Sequence, residues 1–333
     1  MKARDEAGVL PDDLTQTIRG FQESRVILTA IELDLFSAIG DGATAADMAK
    51  KVKADSRGAG KLLDALVAVE LLTKDNEKYH NTPVSKRYLM TDSPDSSRMA
   101  IMHTANLWKR WSTLTDCVRQ GKSVTYSDMA ERGDDWATSF IAAMHRSSLA
   151  RAPQVVRLVG ADKIQKMLDI GGGSGGYSIA FAKANKNLKS VVFDLPAVVP
   201  LARKHIEQAG LADRVTVQAG DMRADDFGRG FDFVLLSSIC HMNGPQANID
   251  LLKKAGKAIN SGGRIVIQDF ILNEGRTSPK TAALFAINML VGTLSGSSYT
   301  ENEYIDWLRQ AGFTSIQRLH LPGPTGLMVA VKA

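Results

Sequence analysis

The 333-residue sequence has few of the features that mark secreted, membrane-spanning or metal-binding proteins. Its two cysteines, Cys117 and Cys240, lie far apart and outside any C-x-x-C spacing, so neither a disulfide framework nor a zinc site is expected. No run of about eighteen apolar residues is present, which argues against a membrane helix. The first residues are polar and acidic and lack the apolar segment of a secretory signal. We therefore expect a cytoplasmic protein without a bound metal.

Positive charge is not concentrated anywhere in the chain. The net charge is +5, but no block of five or more lysines and arginines occurs. This dispersal favours a mildly basic surface over a nucleic-acid or membrane partner. The remaining composition, 44% hydrophobic and 23% charged, is ordinary for a globular chain of this length, which has room for two domains.

The N-terminal part of the sequence is predicted to be a helical domain over residues 1–100. One apolar helix is expected over residues 14–39, and a third helix begins at an N-cap, Asp55 or Ser56. A β-like stretch follows, which completes a winged-helix pattern. Only Arg57 and Lys61 are basic near the start of the third helix, so dimerisation is favoured over DNA binding. A helix that is apolar on more than one face needs cover, which a second subunit would supply.

The C-terminal part of the sequence alternates strands and helices from residue 159 onwards. This alternation predicts a parallel sheet with helices on both faces. The last segment, with a Gly/Pro turn between two strands, predicts an antiparallel hairpin at the sheet. We therefore expect an α/β domain over residues 159–333, joined to the first domain by connecting helices over residues 101–158 that roof a substrate pocket.

The stretch LDIGGGSGGYS, residues 168–178, is predicted to be a buried strand that turns through glycines into a helix. Gly171, Gly173 and Gly176 satisfy the dinucleotide spacing G-x-G-x-x-G. Gly171, Gly173 and Gly175, preceded by Asp169, satisfy the spacing found in enzymes that use S-adenosylmethionine (SAM). The glycine spacing by itself leaves both ligands open.

Acidic residues follow three of the predicted strands, where ligands of open α/β sheets bind. Asp194, about twenty residues after the glycines, is placed to accept hydrogen bonds from ribose hydroxyls. Asp221 and Met222 follow the third strand and suit an adenine, and Asp269 follows the fifth. Because a pyrophosphate is anionic and a sulfonium is cationic, this acidic pocket favours SAM over NAD. No Y-x-x-x-K pair supports an oxidoreductase, while a non-catalytic SAM-sensing regulator stays open as an alternative.

The segments LDIGGGSGGYS, FDLPAVV, AGDM, SSICH, GGRIVIQDFIL and YTENEYIDWLRQAGF, in this order, resemble the small-molecule O-methyltransferases of the hydroxyindole, caffeate and bacterial polyketide type. In the N-terminal half, AIELDLFSAI, LLDALVAVELL and YHNTP resemble the winged-helix dimerisation domain of that family. The resemblance implies a class I SAM-methyltransferase fold, a Rossmann-like sheet with a C-terminal antiparallel hairpin, preceded by an all-α winged-helix-like domain. It also implies a homodimer and S-adenosylhomocysteine as the product.

The resemblance assigns cofactor contacts to ten residues of this chain. These are Asp169, Gly171, Gly173, Gly175, Asp194, Leu195, Asp221, Met222, Ser237 and Ser148. Ser148 would touch the SAM carboxylate, and Ser237 stands where the family has a polar or basic contact.

The sequence departs from the family at the general base. Plant members carry a catalytic histidine at the position of Ala247, so three other residues are candidates: His241, His145 and Asp269. Methyl transfer from a sulfonium depends mainly on proximity and orientation, and a base helps when the nucleophile is a neutral hydroxyl.

The candidate acceptor site is mainly apolar, which suits a small aromatic or polycyclic molecule. Its expected lining is Trp111, Phe140, Met144, Asn288 and Met289. O-methylation follows from the family resemblance. Because the usual base is missing, a carbon or nitrogen acceptor stays open.

Overall fold

The computed structural model describes residues 10–127 and 134–333. The chain divides into two compact units, the first ending at Leu107 and the second beginning at Trp108. The boundary falls within one helix, α7 (Arg98–Trp111), which begins in the first unit and ends in the second.

The first unit consists of short helices and a small antiparallel sheet of strand order β1-β3-β2. Its elements before α7 are α1 (Asp12–Arg19), α2 (Phe21–Glu32), α3 (Leu35–Ile39), β1 (Ala43–Thr44), α4 (Ala45–Lys51), α5 (Ser56–Ala68), β2 (Leu72–Asp75), β3 (Lys78–Asn81) and α6 (Pro83–Tyr88). The apolar core includes Phe36, Met48, Leu63 and Leu66, all fully buried. Asp55 is the N-cap of α5, because its carboxylate accepts the backbone N–H groups of the first turn.

Two helix predictions in the N-terminal part of the chain were wrong. The expected single helix over residues 14–39 is three helices, because the chain breaks at Gly20 and at Asp34, whose φ of 49° is left-handed. The expected helix over residues 99–122 is two helices, α7 and α8 (Leu114–Gln120). Apolar periodicity continues through Gly20 and Asp34, which is why the sequence pattern did not reveal that the helix is interrupted there.

The second unit is built on a seven-stranded sheet of order β11-β12-β8-β7-β4-β5-β6. Its further elements are α9 (Asp134–Val159), β4 (Lys166–Ile170), α10 (Gly176–Ala184), β5 (Lys189–Asp194), α11 (Val199–Gln208), β6 (Val215–Ala219), β7 (Phe231–Ser237), α12 (Pro245–Ala258), β8 (Ile259–Asp269), β9 (Ile271–Leu272), α13 (Lys280–Gly292), β10 (Tyr299–Thr300), α14 (Glu301–Gln310), β11 (Phe313–Leu319) and β12 (Gly326–Lys332). A short 3-10 turn, Cys240–Met242, follows β7.

The sheet has the predicted arrangement of parallel strands and a C-terminal hairpin. Strands β4 to β8 pair in parallel, and β12 lies antiparallel between β11 and β8. Helices on both faces bury it, because alternate side chains of a strand point to opposite faces. On β7, Phe233 and Leu235 pack with α9, α10 and α11, whereas Val234 and Leu236 pack with α12 and α14.

A search of the described residues finds no helix that is long and apolar enough to cross a membrane. The same residues hold no group of three or more histidine, cysteine, aspartate or glutamate side chains arranged for a metal ion.

Candidate functional site

The candidate site lies at the carboxyl ends of the parallel strands. The chain order of the sheet reverses beside β4, so β5 pairs with one of its edges and β7 with the other. The crevice at such a switch point is where open α/β sheets bind ligands. The glycine turn after β4 and the turn after β7 therefore meet at one place.

The glycine turn owes its shape to left-handed backbone and close packing. Gly171, Gly173 and Gly175 have φ of 65°, 58° and 75°, a conformation that costs glycine little. A Cβ at Gly171 would lie 2.2 Å from Ile239 Cδ1, so the backbone there packs directly against the turn after β7. A Cβ at Gly173 would meet no described atom within 4 Å. The turn is thus fixed on one side and open on the other.

Asp169 is fully buried beneath this turn. Its Oδ2 accepts a 2.8 Å hydrogen bond from Ser178 Oγ, while its Oδ1 is buried with no partner among the described residues. Burial raises the pKa of Asp169 to about 7, against a smaller lowering by Ser178. The orphaned oxygen is an acceptor for which the described part of the chain provides no donor.

Asp194, at the end of β5, holds the glycine turn. One carboxylate oxygen accepts the backbone N–H of Gly173 at 2.7 Å, and the other accepts that of Leu195 at 2.7 Å. Burial raises the pKa of Asp194, and these two bonds oppose the rise. Each oxygen retains lone pairs for a ligand hydroxyl.

Asp221, after β6, is engaged by a residue that sequence reasoning missed. The Arg223 guanidinium forms an ion pair with its carboxylate at 2.9 Å and holds the pKa of Asp221 below its usual value. Arg223 lies only two residues further along the chain, and the local ion pair could have been anticipated from that spacing. Met222 is partly buried and packs against the core cluster that contains Phe193 and Phe227.

Helix α9 brings His145 and Ser148 to the glycine turn. His145 Nδ1 lies 2.8 Å from Ser174 Oγ, and its ring stacks on His205 of α11 with centroids 3.9 Å apart. Burial lowers the pKa of His145 to about 4, with a further contribution from His205. A Cβ at Gly176 would lie 2.0 Å from Ser148 Oγ, so that hydroxyl touches the start of α10. The ring of His145 therefore contacts the glycine turn and α11.

Ser237, at the end of β7, belongs to a buried polar network. Its hydroxyl donates to Gln268 Oε1 at 2.7 Å, and the Tyr177 hydroxyl donates to the same oxygen. Gln268 in turn donates to Thr325 Oγ1 at 3.0 Å. The network ties the glycine turn to the end of β8 and to β12.

His241 and Asp269 form a hydrogen-bonded pair. His241 Nδ1 lies 2.7 Å from Asp269 Oδ1, and the backbone N–H of His241 donates to Oδ2 at 3.1 Å. The N–H of Phe270 also donates to this carboxylate, at 2.9 Å. An ionised carboxylate only accepts, so Nδ1 carries the proton and Nε2 of a neutral imidazole is left as an acceptor.

An aromatic pair that sequence reasoning missed encloses His241. Phe285 of α13 meets the imidazole edge to face with centroids 4.8 Å apart, and it stacks on Phe270 at 3.8 Å. Two positional signals were available, because Phe270 directly follows Asp269 and Phe285 lies one helical turn before Asn288.

The residues predicted to line an acceptor pocket lie on α7, α9 and α13. Trp111 Nε1 donates to Asn288 Oδ1 at 2.9 Å, which leaves the NH₂ group of Asn288 available as a donor. Met289 is buried, whereas Phe140 and Met144 are half-buried on α9. This hydrogen bond joins the last residue of α7 to α13.

The donor set of the glycine turn fits SAM better than a dinucleotide. Asp169 lies buried before this turn, Asp194 accepts a backbone N–H of it at Gly173, and Asp221 follows the neighbouring strand β6. The orphaned Oδ1 of Asp169 supplies an acceptor for a cation or a hydroxyl. A pyrophosphate is anionic and accepts hydrogen bonds, so it offers this oxygen no donor.

Comparisons with known proteins match both parts of the chain to domain families. Residues 111–314 match the O-methyltransferase domain family, and residues 15–91 match the O-methyltransferase dimerisation domain. The chain is similar to 3-hydroxy-5-methyl-1-naphthoate 3-O-methyltransferase from Streptomyces sahachiroi, with 34% identity over 97% of this chain and 96% of that one. It is also similar to L-tyrosine C(3)-methyltransferase from Streptomyces lavendulae, with 27% identity over 96% and 93%.

A solved structure with the same fold carries the cofactor. Human N-acetylserotonin methyltransferase in complex with SAM matches with a TM-score of 0.84 and 25% identity, over all of this chain and 99% of that one.

Replacing the buried acid beneath the turn has a predictable effect on stability. The folded protein keeps a proton on Asp169 up to pH of about 7, whereas the unfolded chain releases it near 3.8, so stability falls as the pH rises between these values. We expect Asp169→Asn to abolish this loss. The free energy of unfolding of the variant relative to wild type should rise by about 3 kcal/mol between pH 5 and pH 8.

The measurement is denaturant unfolding of the ligand-free proteins at both pH values. Asp162→Asn, which changes an exposed acid, is the control. The prediction would be contradicted if the free energies of unfolding of wild type and Asp169→Asn differed by the same amount at both pH values.

Proposed function

The chain belongs to the family of O-methyltransferases that carry an N-terminal dimerisation domain, and on this premise we propose that it methylates a hydroxyl group of a small aromatic acceptor. The observation that carries the proposal is the His241–Asp269 pair at the ends of β7 and β8, in which His241 lies two residues after Ile239, which packs against the glycine turn. Such a pair can accept the proton of a neutral hydroxyl.

The ten residues assigned to the cofactor would hold SAM at the glycine turn. When bound, SAM supplies an electrophilic methyl group on a sulfonium and is left as S-adenosylhomocysteine. Asp169 and Asp194 would accept hydrogen bonds from its ammonium and ribose hydroxyls. Asp221 would face the adenine while held in place by Arg223. Ser148 would approach the carboxylate from α9.

His241 would act as the general base. Asp269 holds Nδ1 protonated, so Nε2 is free to take the hydroxyl proton of the acceptor. The acceptor oxygen forms its bond to the methyl carbon as the bond from carbon to sulfur breaks, and the electron pair stays on sulfur. Asp269 orients the imidazole and stabilises the imidazolium that forms.

The acceptor would lie between α9 and α13. Phe270, Phe285 and Trp111 provide aromatic walls, and the free NH₂ group of Asn288 would donate to an oxygen of the acceptor. Aromatic faces favour a stacked, planar ligand. A relative named for methylating a hydroxynaphthoate supports a fused-ring phenol.

Methylation of an aromatic carbon is the second candidate, because one relative is named as a C(3)-methyltransferase of tyrosine. A phenolate carries negative charge on its ortho carbons as well as on oxygen. The same base would serve both reactions, and the position of the acceptor relative to the methyl group would decide between them.

A homodimer is also part of the proposal. Helix α1 has no buried residue, and apolar side chains of the first unit are exposed at Leu10, Ile18 and Phe21. The match to a dimerisation domain supports the proposal that a second copy of the chain buries these apolar side chains.

Calorimetric titration tests the cofactor assignment. We expect the protein to bind S-adenosylhomocysteine and not NAD⁺, and Asp194→Ala to weaken binding about 10- to 100-fold, because bonds to a charged acceptor are lost. Asp213→Ala, at an exposed position, is the control. Binding of NAD⁺, or unchanged affinity in Asp194→Ala, would overturn the assignment.

Steady-state kinetics test the base. We expect His241→Ala to lower kcat for a weakly acidic naphthol by roughly 10²- to 10⁴-fold, because the hydroxyl loses its proton acceptor. The loss should shrink for a nitro-substituted phenol that is already ionised. His320→Ala, an exposed histidine, is the matched control. Equal losses for both acceptors would assign His241 a structural role.

A further inference from the structure

Arg110, in the last turn of α7 in the second unit, is a half-buried cation without an acidic partner among the described residues. Burial lowers the pKa of its guanidinium, and no nearby carboxylate opposes that effect. The group is not sealed in the core, since none of its nitrogen atoms is fully buried without a partner. A cation in such a place normally pairs with an anion.

The contacts of Arg110 do not explain its position. Its Nη1 lies 3.6 Å from where a Cβ would stand at Gly292, the last residue of α13. A cation at a helix C-terminus can bind the free carbonyls there. Here Thr293 already donates to the carbonyl of Met289, and Ser123 to that of Val291.

Arg110 lies at the end of a stripe that begins at the candidate base. Phe285, Asn288 and Gly292 follow the i, i+3, i+7 spacing that places side chains on one face of a helix. Phe285 contacts His241 at one end, and Arg110 approaches Gly292 at the other. The rise of α13 separates these ends by about 10 Å.

Asn288, the middle residue of this stripe, has a polar side chain whose orientation is fixed by a hydrogen bond. Trp111, the neighbour of Arg110 in sequence, fixes the Asn288 amide through its indole N–H. A planar molecule along the stripe would meet His241, then the Asn288 amide, then the guanidinium. An arginine side chain is long enough to reach such a molecule.

We infer that Arg110 binds a carboxylate on the methyl acceptor, which makes the acceptor an aromatic hydroxy acid. The inference rests on the proposed function, because it places the acceptor beside His241. A planar guanidinium binds a carboxylate through two parallel hydrogen bonds. Such a contact anchors one end of the acceptor and directs its hydroxyl toward His241.

Binding of two matched probes tests the inference independently of catalysis. The probes are 3-hydroxy-1-naphthoate and 2-naphthol, which differ only in the carboxylate, titrated calorimetrically into the protein saturated with S-adenosylhomocysteine. We expect the acid to bind more tightly. Arg110→Gln should reduce the acid-to-naphthol affinity ratio about 10- to 100-fold, and Arg110→Lys should restore part of it because a charge remains.

Lys109→Gln is the control, since Lys109 is an exposed cation of the same helical turn. It should leave the affinity ratio as it is in wild type. Equal wild-type affinities for both probes, or an unchanged ratio in Arg110→Gln, would overturn the inference.

Methyl transfer to the same probes separates the inference from the proposed function. Methylation of 2-naphthol with no preference for the acid supports the proposed function and contradicts a role for Arg110. Binding of the acid through Arg110 without methylation supports the inference about binding and contradicts the proposed reaction.

Discussion

The glycine turn after β4 is the constraint on which the rest of the site depends. Gly171 must lack a Cβ because Ile239 fills that space, and Gly176 must lack one because Ser148 lies there. These two contacts bring the turn after β7, and with it the 3-10 turn of His241, against the cofactor crevice. They also bring α9 to the start of α10. A side chain at Gly171 would displace Ile239, and a side chain at Gly176 would displace Ser148.

Buried acids beneath and beside this turn set its electrostatics. Asp169 and Asp194 are both driven toward their neutral forms by burial, whereas Asp221 is kept ionised by Arg223. A ligand with a positive charge and hydroxyl groups would donate hydrogen bonds to Asp169 and Asp194. Such bonds stabilise the ionised forms of the two carboxylates. In the proposed cofactor site, ligand binding and proton release would therefore be coupled at Asp169, whose pKa of about 7 lies near neutrality.

In the proposed site, helix α13 forms the acceptor side of the same crevice. Its contacts run from the imidazole of His241 through Asn288 to Arg110, so one helix would relate the proposed base to the groups proposed to orient an acceptor. Transfer of a methyl group depends on placing the nucleophile in line with the breaking bond. Because α13 is one helix, Phe285, Asn288 and Gly292, which contact His241, Trp111 and Arg110, keep a fixed spacing along it.

The amino-acid sequence by itself determined the sheet, its C-terminal hairpin and the acids that follow its strands. The alternation of strand and helix segments and the glycine spacing are local signals, and parallel strands bring their carboxyl ends together. The breaks at Gly20 and Asp34 were missed, because apolar periodicity continues through them. Only the tertiary structure decided that His241 pairs with Asp269, that His145 contacts the glycine turn, that Phe285 contacts His241, and that Arg110 approaches Gly292. Such contacts join residues up to 182 positions apart, from Arg110 to Gly292, and no local pattern specifies which distant side chains the packing of helices on a sheet will bring together.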